Sequence, residues 1–153
     1  MSEYFATIKW DRGEQAFNDN KYSRGHLWEF DGGVTIPASA SPHVVPPPMS
    51  VAANVDPEEA FVASLSSCHM LFFLSIAAQQ GYVVDTYIDK ATGTMGKNKS
   101  GKISMTRVVL RPETIFSTKK PSKAELEAMH HESHELCFIA NSVETEISIK
   151  IVA

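Results

Sequence analysis

Two cysteines, Cys68 and Cys137, are the residues whose chemistry most needs explaining. Cys68 lies in ASLSSCHMLFFLSIAAQQG, residues 63–81, which is apolar on nearly every side for several turns. Just around the thiol the stretch is unexpectedly polar, with Ser64, Ser66, Ser67 and His69. A lone free cysteine is most often buried filler. A thiol kept for chemistry acts as thiolate, which needs a neighbouring cation near neutral pH. His69 is the nearest local candidate, yet adjacent helical positions point about 100° apart, so it does not face the thiol directly. Glu58 stands ten residues earlier, close to three turns, and projects in a broadly similar direction. Cys137 ends a second cluster, HHESHELC, residues 130–137. His131 and His134 share a helical face, as do His134 and Cys137. Neither H-E-x-x-H nor H-x-x-E-H is present, and structural zinc wants four closed ligands. The residues favour a polar, histidine-rich helix surface over a metal site.

Length and composition bound what these residues serve. At 153 residues the chain is expected to form one domain, 1–153, with a substantial core. Hydrophobic residues make up 43% and charged residues 21%, the balance of a soluble globular protein. Net charge is -4 with no basic block, which disfavours nucleic acid or an anionic membrane as partner. The start, MSEYFATIKWDRG, lacks a signal-peptide pattern. The longest apolar run, Met70 to Ala78, is interrupted by Ser75 and is far short of a membrane span. A cytoplasmic protein is expected. There a structural disulfide is disfavoured, and no C-x-x-C pair signals zinc or a thioredoxin-type site. If the two cysteines act together, the fold must bring them together.

The elements that position them can be read in outline. Residues 3–10 and 23–31 read as strands, the latter placing His26, Trp28 and Phe30 on one face before an Asp-Gly-Gly turn. Residues 36–57, with six prolines and no periodicity, read as an extended loop. Asp56-Pro57-Glu58-Glu59 predicts a helix start, with Asp56 as N-cap and Glu59 completing a capping box. That helix should run to about Gln80 and stop at Gly81. It is apolar on more than one stripe, so a single chain of this length does not suffice to cover it. Strands are expected at 82–89, 90–95 and 102–111, with a turn at 97–101. Ser122 and Glu125 form a capping box for a second helix to about Leu136. Residues 143–151 alternate apolar and polar as a final strand. The order predicts an α+β fold with antiparallel sheet.

Three segments together resemble the OsmC/Ohr family of thiol-dependent peroxidases, over most of the chain. VDPEEAFVASLSSC looks like the family's Asn/Asp-Pro-Glu segment, followed ten residues later by the peroxidatic cysteine. HELCFIANSV looks like its second segment, His-x-x-Cys-Pro-x-Ser/Ala-Asn, which holds the resolving cysteine. YSRGHLWEFDG resembles the early strand of the OsmC-like branch. The resemblance places Cys68 on the peroxidatic cysteine, Cys137 on the resolving one and Glu58 on the active-site glutamate. Arg24 falls on the arginine that pairs with that glutamate, with Arg12 the other candidate, since the loop at 32–55 can absorb a shift. Phe138 stands where the family usually has proline, a residue that helps stop the helix and fix the thiol's approach.

The same resemblance implies antiparallel sheets wrapped around long central helices in an intertwined homodimer, with active sites at the subunit interface. It implies a cycle in which Arg24 favours the Cys68 thiolate by charge and Glu58 orients Arg24. A hydroperoxide is the substrate, and an external dithiol, lipoyl-type or another thiol system, is the reductant. No metal, flavin or haem is required. Phe61, Met70, Leu71 and Phe72 are candidates to line an apolar substrate pocket and equally candidates for plain core. Two rival readings are a peroxide-responsive thiol sensor without turnover and a His/Cys metal- or ligand-binding module.

Overall fold

Both helices begin where their caps predict. In the computed structural model, which describes residues 1–152, α1 runs Pro57–Gln79. The Asp56 carboxylate accepts from the Glu59 N–H at 2.8 Å, and the Glu59 side chain accepts from the Asp56 N–H at 3.3 Å. This reciprocal cap satisfies two donors that the first turn leaves unpaired. At the other end Gly81 takes φ +82°, a conformation that a Cβ disfavours. The Tyr82 N–H then reaches back to the Ala77 carbonyl at 2.9 Å, and the Gly81 N–H to Ala78 at 3.1 Å. The second helix, α2 (Lys123–Leu136), has Ser122 as N-cap with both halves of its capping box formed.

Backbone contacts group the chain into two units, Met1–Ala60 and Phe61 onward. In the first, β1 (Thr7–Lys9), β2 (His26–Glu29) and β3 (Thr35–Ala38) form an antiparallel sheet in the order β1-β2-β3. β3 corrects the expectation of an extended loop from residue 36. Pro37 hides it, because proline lacks the ladder N–H; an edge strand tolerates that loss. The Pro37 carbonyl still accepts from the Val55 N–H at 3.1 Å.

In the second unit, β4 (Val83–Asp89) pairs antiparallel with β7 (Pro112–Ser117). β5 (Thr92–Lys97), β6 (Ile103–Leu110) and β8 (Glu146–Ile149) form another sheet in the order β5-β6-β8. β5 and β6 are antiparallel, while β8 runs parallel to β6. No strand was expected over β7. The whole is a mixed α+β fold of two helices and largely antiparallel sheets.

One stripe of α1 is buried: Leu65, His69, Phe73, Ile76 and Ala77. That spacing is a single helical face. Phe73, Ile76 and Ala77 pack on Met129 of α2, with Tyr87 and Phe116 from the β4–β7 pair beside them. Leu65 packs on Val108 and Leu110 of β6, with Val62 and Ile147 alongside. Burial of a side chain such as Phe73 or Leu65 contributes roughly 1.5–3 kcal/mol. Other positions on α1 are uncovered, and Leu71 is 60% exposed. By length and composition α1 is also long and apolar enough to cross a membrane, contrary to the expectation from the run Met70 to Ala78. The core helix of a folded protein has the same character, and this one has its stripe packed.

Candidate active site

Cys68 sits in the middle of α1, half-buried, and Cys137 caps the C-terminus of α2 at 1% exposure. α2 ends there without the proline. Cys137 leaves the helix with ψ 112°, and its N–H returns to the His134 carbonyl at 3.3 Å. The Asn141 N–H donates to the Cys137 carbonyl at 3.0 Å, and the Ser142 hydroxyl to the Phe138 carbonyl at 2.7 Å. These bonds close a short 3-10 turn, Ala140–Ser142, whose Ala140 N–H also donates to Cys137 Sγ at 3.4 Å. The turn supplies the helix stop that Phe138 cannot.

Cys68 lies near enough to Cys137 to bear on its ionisation. Burial pushes the Cys137 thiol up, and the Ala140 N–H pulls it down. Cys68, near enough to act on it, then pushes it up again. Burial thus disfavours Cys137 as an anion.

The polar residues flanking Cys68 act as anchors. The Ser64 hydroxyl donates to the Phe61 carbonyl at 2.8 Å, and Ser66 to Asp89 Oδ2 at 2.5 Å. The other oxygen of Asp89 accepts from the Arg111 N–H at 2.6 Å. His69 Nε2 lies 2.9 Å from His130 Nδ1, both residues buried, at 1% and 2% exposure. The imidazoles are parallel within 3°, and Phe73 stacks on His130 at 4.2 Å. Burial pushes His69 down to about 4, with His134 adding to the effect and Asp89 opposing it. Burial, then His69, pushes His130 down to about 3. Both rings are neutral at pH 7.

His130 thus does not belong to a polar helix surface, as expected, but to the core. Among the described residues no group of three or more His, Cys, Asp or Glu side chains is placed to hold a metal. The pair was missed because the partners lie 61 residues apart. The available signal was His69 at the fourth position between Leu65 and Phe73, on the buried stripe.

Arg24 is engaged within the first unit. Its guanidinium lies 3.7 Å from the Tyr22 ring centroid and donates to Asn20 Oδ1 at 3.0 Å and to the Tyr22 carbonyl. Glu58 is half-buried, and its Oε2 is buried without a hydrogen-bond partner among the described residues. The ion pairs among those residues are Lys9–Glu29 and Lys123–Glu127, so Arg24 and Glu58 are not paired here. Arg12 is exposed. The four apolar candidates do not form one wall. Phe61 packs beside Leu65 and borders an open groove of 940 Å³ that also touches Lys97, Val143 and Glu146. Met70 is half-buried and Leu71 exposed. Phe72 meets Phe138 edge-on at 5.0 Å, so the residue in proline's place extends an apolar surface beside Cys137.

A family model described as OsmC-like protein matches residues 51–152. A solved OsmC-like protein of unknown function from Vibrio cholerae is 64% identical, with a TM-score of 0.98 over 99% of this chain and 100% of that one. The organic hydroperoxide resistance protein OhrB of Bacillus subtilis shares the fold at 16% identity, with a TM-score of 0.68 over 99% and 98% of the two chains. An organic hydroperoxide resistance protein OsmC from Legionella pneumophila does so at 15% identity, with a TM-score of 0.69 over 99% and 97%. No curated protein matches.

Proposed function

We propose, from the premise that this chain belongs to the OsmC-like family, that it is a thiol-dependent peroxidase acting on organic hydroperoxides. The observation that carries this reading is that the fold brings Cys68 near enough to Cys137, 69 residues away in sequence, to push the Cys137 thiol up.

The Cys68 thiolate attacks the terminal peroxide oxygen, the O–O bond breaks, and the alkoxide takes a proton to leave as alcohol. Cys68 is then a sulfenic acid. The Cys137 sulfur attacks it, the S–O bond breaks, and the Cys137 proton leaves with the hydroxyl as water. An external dithiol reduces the resulting disulfide by two exchanges and is itself oxidised to a disulfide. In this reading Arg24 favours the thiolate and Glu58 orients Arg24. A buried carboxylate oxygen with no donor is costly, which supports Glu58 as a group awaiting one. Arg24 then exchanges its contacts with Tyr22 and Asn20 for Glu58. The site sits at the interface of a homodimer, and Phe72 and Phe138 favour an apolar peroxide.

Steady-state consumption of an organic hydroperoxide, with dihydrolipoyl, thioredoxin and glutathione systems run in parallel, tests the reading. Catalytic consumption with at least one reductant is expected. One equivalent consumed and no turnover with any of them assigns the same cysteines to a sensor instead.

A further inference from the structure

One buried polar contact joins the two helices that carry the cysteines, and the reaction above does not use it. His69 directly follows Cys68 on α1, and His130 lies seven residues, about two turns, before Cys137 on α2. Their ring nitrogens are 2.9 Å apart, and the His130 ring is held between the His69 ring and Phe73. Aliphatic side chains would fill this volume without the desolvation that two imidazoles suffer. A hydrogen bond adds direction, which apolar packing lacks. The packing of Phe73 on Met129 is non-directional, whereas an N–H···N contact weakens steeply with distance and angle. Disulfide closure is sensitive to the spacing of the helices, because its Cα separation and torsion are narrowly bounded.

We propose that the His69–His130 hydrogen bond is a positioning device that sets the spacing of Cys68 and Cys137 for disulfide closure. It rests on the reading that these cysteines form an intramolecular disulfide. His69 uses Nε2, which a glutamine amide can imitate, and His130 uses Nδ1, which an asparagine amide can imitate. Phenylalanine at 130 keeps the ring between His69 and Phe73 and removes the bond.

The test equilibrates wild type, H130N and H130F in glutathione redox buffers at pH 7.5. Intact mass after acid quench gives the fraction in the Cys68–Cys137 disulfide. The equilibrium constant for closure should fall about tenfold in H130F, the effect of one net hydrogen bond on an equilibrium, and recover most of that in H130N. If H130F yields no folded protein, H69L against H69Q reads the same contrast. Wild-type closure with an unchanged constant in the bond-removing variant overturns the positioning role and leaves the proposed function standing. Equal losses in the asparagine or glutamine variant and its apolar counterpart overturn it as well. A wild type that forms no such disulfide in any buffer overturns both.

Discussion

Acidification should destabilise this fold through the two buried imidazoles, and the size of the effect can be worked out. His69 and His130 are held down to about 4 and about 3, against about 6.5 in an unfolded chain. The folded state therefore binds fewer protons than the unfolded state between pH 6.5 and those values. Stability from the neutral pair is fully present above pH 6.5 and is lost as pH falls from there toward 4 and 3. From pH 7.5 to 5.0 each ring removes about 2 kcal/mol, so the pair removes about 4 kcal/mol. Against a total of about 5–15 kcal/mol that is a large share. Ordinary carboxylates titrate below this window. Urea denaturation followed by circular dichroism at pH 7.5, 6.5, 5.8 and 5.0, at fixed protein concentration, measures it. The His69→Gln/His130→Asn double variant should lose less than about 1 kcal/mol over the same range, since neither amide titrates. A double variant whose stability falls with pH as steeply as wild type would refute the reasoning, because the proton uptake then lies elsewhere.

Replacing Arg24 with Ala should slow alkylation of Cys68 at pH 7 by one to two orders of magnitude, if Arg24 supplies about 2 kcal/mol of charge-assisted contact. An unchanged rate in that variant and a slowed one in Arg12→Ala transfers the role to Arg12. In sedimentation at micromolar concentration the protein should be a dimer, since α1 leaves Leu71 uncovered and the first unit exposes Tyr4, Phe5 and Ile8. A folded, active monomer contradicts that. Gly93→Ala should cost about 1–3 kcal/mol of stability through overpacking, read as a lower urea midpoint. The added Cβ would stand 2.5 Å from Met105 Cε and 2.6 Å from Val62 Cγ2; an unchanged midpoint means β5 and α1 have room to part.

What could be read from the chain followed local chemistry. Asp56, Glu59 and Gly81 bound α1, and Ser122 and Glu125 open α2, because caps are written within a few residues of the bonds they make. β7 escaped because PETIFS begins with proline and has no clean period, and β3 because of Pro37. The end of α2 near Leu136 was legible from its apolar spacing, while the bonds that close it, from Ala140, Asn141 and Ser142, depend on a turn no pattern announces. At the site, the approach of Cys68 to Cys137 was an expectation from resemblance alone. Ser66 with Asp89 and His69 with His130 were not foreseen, since each joins elements far apart in sequence. Tertiary contacts of that kind leave only a weak trace, a polar residue on a buried stripe.

The central claim is that Cys68 reacts with peroxide and Cys137 resolves it, and intact mass spectrometry during peroxide titration tests it most directly. Wild type should lose two hydrogens at one equivalent, as the intramolecular disulfide forms. Cys137→Ser should gain one oxygen and, under excess oxidant, a second, while Cys68→Ser should consume no peroxide, since a hydroxyl is not a usable nucleophile near neutral pH. A wild type that gains oxygen at both cysteines and never loses two hydrogens contradicts the account.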